Sequence, residues 1–404
     1  MTPAARLQAA IDILGIASDQ PLERLAKAFW RERRYAGGGD RRAVGEMLFT
    51  IARNRAHFAH RMGGDAPRAL VIAALLAEGR DPQSLFTGGY GPEPLSDAEC
   101  AAIAAAPAPA PIWVEGEFPE FLQAELQRAF GDALLDEMAA LSTRAPVDLR
   151  VNRLKTERAT VLAALKDSGV DCAPMAYAAD GIRCGTDTRG LDKHELFLSG
   201  AFEIQDQASQ IAVRLCGIGT NVLDLAAGAG GKSLALAAAM QNRGMITACD
   251  IRGAALAELE KRAARAGATN IKTHIGAAPP GSYDVVLVDA PCSGSGTWRR
   301  QPDNKWRLTP QKLAALMAVQ DELLDQAASR VAPGGRLVYA TCSVLPCEND
   351  DRLATFAERH PGFTVLDASA AWDGPPVPGL GQQFRASPAK TGTDGFFCAI
   401  LSRI

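Results

Sequence analysis

The stretch LDLAAGAGGKSLALAA, residues 223–238, constrains the fold of this 404-residue chain more than any other. A short apolar run meets a cluster of glycines and then a run of good helix formers. That order predicts a strand, a tight turn and a helix whose first N–H groups point outward. The rhythm continues on both sides of it. NVLDLAA (221–227), MITACD (245–250), IKTHI (271–275), YDVVLVDA (283–290) and RLVYATC (336–342) read as strands. KSLALAAAM, AALAELEKRAARAG and TPQKLAALMAVQDELLDQAASRV, lying between them, read as helices. Such alternation predicts an α/β fold, a parallel sheet covered on both faces. FTVLD (363–367) and GFFCAIL (395–401) add two closing strands separated by a long loop, about seven strands in all.

The preceding half is organised differently. Residues 1–104 show apolar side chains at helical spacing, with one helix expected over 40–62 and Asp40 as its cap. An Ala/Pro stretch at 105–117 predicts an extended linker. Residues 118–200 read as a small α/β domain, with VDLRVN as a strand and 157–169 as a helix, and 201–404 as the sheet domain. No apolar run reaches the roughly 20 residues of a membrane helix. The first residues lack the pattern of a secretory signal. Nine scattered cysteines, an odd number without a CxxC pair, do not form a disulfide framework or a zinc site. These features predict a cytoplasmic protein with no membrane or metal partner.

Three ligand readings compete for the glycine loop. A phosphate-binding GxxxxGK[ST] loop would need glycine where Ala226 stands, and a dinucleotide GxGxxG from Gly228 would need it at Ser233. The third reading is a fold binding S-adenosylmethionine, which wants such a loop and an acid ending the second strand. Asp250 stands there, at the offset of a ribose-binding carboxylate. Alternatively Asp250 caps the next helix. Ligands of open α/β sheets lie beyond the carboxyl ends of the strands. Asp289 and Cys292 in LVDAPCSGSG, and Cys342 in VYATCSVLPCEND, fall at that same edge. One free cysteine is usually a small core hydrophobe. Two in polar loops at one edge suit covalent chemistry: a thiolate adds to carbon 6 of a cytosine, carbon 5 becomes nucleophilic, and a second group assists release. An acid such as Asp289 could hold the base edge at ring nitrogen 3.

On these residues the chain resembles the RsmB (Fmu)/Nop class of S-adenosylmethionine-dependent RNA 5-cytosine methyltransferases. DAPCSGSGTWRRQPDNKW (289–306) and YATCSVLPCEND (339–350) carry the likeness most specifically, joined by LRVN (149–152), EIQDQASQ (203–210) and DGFF (394–397). The N-terminal RRYAGGGDRRAV resembles the helical NusB-like RNA-binding domain of bacterial members. The resemblance implies a class I, Rossmann-like methyltransferase sheet behind a NusB-like domain. It implies Cys342 as nucleophile, Cys292 as the thiol assisting release, and Asp289 at the target base and near the cofactor. It further implies that Ala226, Ala227, Gly228, Ala229, Gly230, Gly231 and Lys232 form the S-adenosylmethionine loop, with Asp250 on the ribose. In this class the loop usually reads LDLCAAPGGKT, and the third strand usually ends in Gly-Asp where this chain has Gly276-Ala277. One missing hydrogen bond, about 0.5–1.5 kcal/mol, predicts several-fold weaker cofactor binding.

The expected partner is RNA, ribosomal RNA by the resemblance and transfer RNA as the alternative, bound by a monomer. Net charge is only −3, but residues 30–61 hold eight arginines against three acids. Arg33, Arg34, Arg41 and Arg42 there, with Arg300 and Lys305 after the Pro-Cys motif, are the candidate RNA contacts. A solvated helical face with ion pairs is the competing explanation of the patch, and Trp306 suits either a stacked base or a packing anchor. Two rival functions remain: a ribosome-assembly RNA-binding factor with little chemistry, and an amino-group methyltransferase that has no need of Cys342.

Overall fold

The computed structural model describes every residue except Arg34, Pro107 and Asp187, so the reading of Arg34 lies outside the described residues. The chain forms two units: Met1–Ser142 with Gln301–Thr309, and Thr143–Arg300 with Pro310–Ile404.

The first unit is helical. Pro67–Ala77 is its central helix, with six consecutive residues from Leu70 to Leu75 buried. Leu7, Ile13, Leu48 and Ile51 from Pro3–Leu14 and Gly38–Arg53 belong to the same core. The cap is Gly37 rather than Asp40, which is the third residue of the helix and whose carboxylate accepts the Gly37 N–H at 3.1 Å. The single helix expected over 40–62 is two, Gly38–Arg53 and Arg55–Met62. Asn54 leaves helical dihedrals and its side-chain amide donates to the Thr50 carbonyl at 2.9 Å. Glu117 then accepts the freed N–H groups of Ala56 and His57 at 2.9 and 3.0 Å. The segment expected as linker therefore ends in a helix cap, and also contains the short helix Ile112–Glu115 with Val114 buried.

The second unit contains two sheets. Strands β1 (Val147–Val151), β2 (Cys172–Pro174), β3 (Gly181–Cys184) and β4 (Phe202–Ile204) make a small antiparallel sheet in the order β2-β3-β1-β4. The β2–β3 hairpin arises from a stretch without clear periodicity. The larger sheet comprises β5 (Asn221–Leu225), β6 (Met245–Asp250), β7 (Ile271–Ile275), β8 (Tyr283–Asp289), β9 (Val331–Thr341), β10 (Phe363–Leu366), β11 (Phe384–Ala386) and β12 (Phe396–Arg403). Its main order is β10-β12-β9-β8-β5-β6-β7, with β11 on β12. The five strands from β7 to β9 run parallel, and β12 is antiparallel to β9. Successive side chains of one strand point to opposite faces. Val285 and Leu287 thus pack with the helices Gln207–Leu215 and Gly231–Ala239, and Val286 and Val288 with Pro310–Ala328 and Asp350–Arg359. Burial on both faces is why these strands read as continuous apolar runs.

Candidate active site

Because β5, β6, β8 and β9 are parallel, their carboxyl ends open on one edge. After β5 the backbone turns through three left-handed residues, Ala226 (φ 66°), Gly228 (φ 57°) and Gly230 (φ 77°). Left-handed alanine is strained, and such strain persists where the surroundings over-determine it, often at functional sites. At Gly230 a Cβ would lie 2.0 Å from the Leu259 side chain, so no other residue fits. Ala226 to Ala229 and Gly231 remain half-buried, whereas Lys232 is buried in the first turn of the following helix.

The Lys232 Nζ lies 2.6 Å from Asp289 Oδ2 and 5.3 Å from the centre of the Phe396 ring. Burial opposes the lysine's charge, but Asp289 beside it, with Cys342 nearby, holds its pKa above the ordinary value. Asp224, at the other side of the loop, is fully buried and its carboxylate accepts the Ser233 hydroxyl at 2.5 Å. Burial pushes Asp224 up to about 7 against that hydrogen bond. Asp250 is also buried and accepts Gly228 N–H and Arg252 N–H, each at 2.8 Å. The Arg252 guanidinium occupies both of its oxygens at 3.0 Å. Desolvation raises this carboxyl, but the Arg252 and Gly228 bonds outweigh it and keep it low. Asp250 thus bonds the loop and the turn before the next helix together. A ribose would have to displace the largely exposed Arg252 side chain to reach it. The small-residue loop, two buried acids and the glycine-only approach at Gly230 fit an S-adenosyl cofactor. Ala277, where the family acid would stand, is exposed.

Cys292 and Cys342 face each other, Sγ to Sγ at 3.4 Å, both half-buried. Cys342, then burial, then the charge of Glu348 push the Cys292 thiol well above its ordinary pKa. The two cysteine loops are held by one buried residue, Glu348, which accepts Ser293 N–H at 2.8 Å, Gln320 Nε2–H at 3.0 Å, and the Ser293 and Ser343 hydroxyls at 2.5 Å each. Gly296 N–H donates to the Cys342 carbonyl at 3.0 Å, and Gly395 N–H to the Gly296 carbonyl at 2.8 Å. A Cβ on Gly296 would meet that Gly395 oxygen at 2.0 Å. The sequence signal for Glu348 was a carboxylate six residues after a candidate nucleophile; its partners on the other loop lie 55 residues away.

Two of the expected RNA contacts have partners inside the protein. Arg300 donates to Asp394 at 2.5 Å and the Pro146 carbonyl at 3.0 Å, and lies 3.3 Å from Asp206. With Arg299 on Asp394 and Asp206 it closes a network joining the GTWRR, EIQDQ and DGFF segments. Lys305 is 1% exposed in the helical unit, and burial pulls its pKa down to about 8. Trp306 beside it donates to the Ala52 carbonyl at 2.6 Å, a packing anchor. In the N-terminal patch, Arg55 pairs with Asp65 and Arg61 donates to the Ala102 and Ile103 carbonyls. Arg33 lies over the Phe29 ring at 3.8 Å, and Arg41 and Arg42 are exposed. The other cysteines include Cys184, Cys249 and Cys398, which burial pushes up to about 12, and the exposed Cys100. Among the described residues no cluster could hold a metal ion, and no helix is long and apolar enough to cross a membrane.

A family model described as 16S rRNA methyltransferase RsmB/F matches residues 218–402, and one for an RsmF/B-like ferredoxin-like domain matches 118–188. The chain is 34% identical over 253 residues to the "Probable ribosomal RNA small subunit methyltransferase B" of Synechocystis sp., across 60% of this chain and 57% of that one. To the protein of the same name in Bacillus subtilis it is 32% identical over 302 residues, across 72% and 67%. The matched region thus spans 57% to 67% of the length of these relatives. The crystal structure of PH0851 superposes with a TM-score of 0.77 at 24% identity, covering 100% of this chain and 99% of that one, which shows the shared fold. With both family models and these relatives in agreement, the chain belongs to the RsmB/F family of methyltransferases.

Proposed function

We propose that this protein is an RNA cytosine-5 methyltransferase acting on ribosomal RNA. The observation that carries the reading is the pair of thiols 3.4 Å apart, at the edge that also holds the glycine loop and the Lys232–Asp289 pair. The names of the relatives, ribosomal RNA small subunit methyltransferases, support the substrate class. S-adenosylmethionine, held by residues 226–232 and Asp250, would supply an electrophilic methyl group when bound.

The protein's part follows from the side chains. Cys342, as thiolate, adds to carbon 6 of the cytosine, and the electron pair of the ring double bond becomes available at carbon 5. Asp289, fixed by Lys232, meets ring nitrogen 3 and favours its protonation as negative charge develops on the ring. Once carbon 5 is methylated, its proton passes to a solvent water acting as base. The electron pair left behind restores the double bond and expels the Cys342 thiolate. Cys292, whose sulfur lies 3.4 Å from that of Cys342, assists this release by donating a hydrogen bond to the departing thiolate.

The deciding experiment transfers labelled methyl from S-adenosylmethionine to RNA and ribosomal subunits from cells lacking the protein, followed by nucleoside digestion. Labelled 5-methylcytidine from the wild type, lost at least 10³-fold in Cys342→Ala, is the expected result. Cys292→Ala should accumulate a covalent protein–RNA adduct on a denaturing gel. An amino-group methyltransferase would tolerate Cys342→Ala. Label in transfer RNA instead would move the substrate class. Absence of transfer to any of these RNAs, with cofactor binding intact, would favour the assembly-factor role.

A further inference from the structure

A second cavity of about 250 Å³ lies among β1, the β2–β3 turn and the helices Gln207–Leu215 and Gly231–Ala239. Asp289, Cys292 and Cys342 do not line it. Its walls are unlike a core void. Arg150 lines it and is itself only 7% exposed. The Arg150 guanidinium donates to two uncharged acceptors, Gln205 Oε1 at 2.6 Å and the Gly231 carbonyl at 3.5 Å. Among the described residues no carboxylate lies within 4 Å of it. Burial lowers its pKa to about 10, outweighing the opposing fields of Glu203 and Asp180.

Two more arginines, Arg153 and Arg214, share the lining, against one carboxylate, Asp180. Asp180 lies 3.6 Å from Arg153 and in the field of Arg150, Arg158 and Arg214 as well, so arginines outnumber carboxylates on the lining itself. The present partners of the outer arginines are exposed: Glu157 at 3.7 Å from Arg153, and Asp373 at 2.5 Å from Arg214. Exposed pairs of this kind are worth little and yield readily to a better anion. The remaining surface is flat and apolar. Tyr177 and Trp372 supply rings, the Arg214 guanidinium lies 5.0 Å from the indole, and alanines of Gly231–Ala239 form the rest.

An arginine cluster beside stacking rings recognises a phosphate attached to a planar base. The volume falls just below the roughly 300–1,000 Å³ of sites for larger small molecules, which suits one unit. We infer that this cavity binds a single nucleoside phosphate, with the phosphate on Arg150, Arg153 and Arg214 and the base stacked on Trp372. The unit comes either from a free nucleotide or from an RNA strand. This inference does not depend on which base the protein methylates.

Trp372 supplies the readout. The full chain is titrated at low salt with AMP, UMP, inorganic phosphate and a short oligoribonucleotide, following tryptophan fluorescence. A saturable change, lost in Trp372→Phe and weakened at least tenfold in Arg153→Ala/Arg214→Ala, is expected. Cofactor binding and the thermal midpoint of the double variant should match the wild type. Saturation by mononucleotides identifies the free source, and saturation by the oligomer alone identifies the strand. No saturable change with any nucleotide overturns the inference, as does a change that persists in Trp372→Phe. A double variant binding within twofold of wild type, or phosphate competing as well as nucleotide, overturns it equally.

Discussion

Lys305 is a lysine that local sequence places in solvent and the fold places in the core. Its ammonium reaches the Arg53 carbonyl at 3.4 Å and lies 5.1 Å from the Trp306 ring. Its folded pKa of about 8 lies below the unfolded 10.5. Below pH 8 both states carry the proton and the fold bears the full cost of the buried charge. Between pH 8 and 10.5 the fold has released its proton while the unfolded chain keeps it, so stability rises with pH. Lys305→Met should therefore stabilise the protein at pH 7 by about 1–3 kcal/mol, and the gain should shrink toward pH 10. Denaturant unfolding of both proteins across that range checks it. A gain independent of pH would show that packing, not charge, sets the effect. The same residue illustrates what a sequence conceals. Lys305 and Trp306 sit in a motif shared with nucleic-acid enzymes, but their partners Arg53 and Ala52 lie some 250 residues away.

At the scale of elements, the Pro-Cys and Thr-Cys loops behave as one object. Glu348 carries donors from both, and truncating it removes the acceptor that two buried serine hydroxyls and the Ser293 N–H now share. Each such group costs roughly 1–3 kcal/mol. Glu348→Ala should lower stability by about 3 kcal/mol or more and methyl transfer by at least tenfold. Gly296→Ala provides the independent check, since the nearest atoms to its Cβ belong to the Gly395 backbone, the carbonyl oxygen at 2.0 Å. It should reduce transfer while leaving cofactor affinity within about threefold. Loss of cofactor binding in either variant would mean that the thiol loops and the glycine loop are not separable. Asn54 shows the same scale from the other side. Apolar periodicity continues through it, so sequence reads one helix. The break depends on Glu117, a distant acceptor that rewards ending the first helix there.

For the whole molecule, the charge distribution matters more than its sum. Of the arginines between residues 30 and 61, Arg55 and Arg61 have structural partners, and Arg41, which donates to the Ala36 carbonyl at 3.1 Å, and Arg42 are exposed on Gly38–Arg53. We propose that these exposed arginines contact RNA phosphates. Arg41→Ala/Arg42→Ala should weaken RNA binding several-fold and reduce the slope of log K against log salt by roughly 1–2, with methyl transfer at saturating RNA unchanged. Unaltered salt dependence would assign them to a solvated helix face. The sequence by itself determined the alternation of strands and helices in the parallel part of the sheet, the edge where the candidate site lies and the residues of the glycine and cysteine loops, but not β11, which it left inside a loop. Those features are written in neighbouring residues: two-sided burial makes strands apolar, and a tight turn admits only small residues. Only the tertiary structure decided the fate of the long polar side chains. Arg300 found Asp394 and Asp206, Glu348 found both cysteine loops, and Arg150 was buried without a carboxylate. A charged side chain can be exposed or buried with equal local propensity. Which occurs depends on whether a partner distant in sequence arrives to satisfy it.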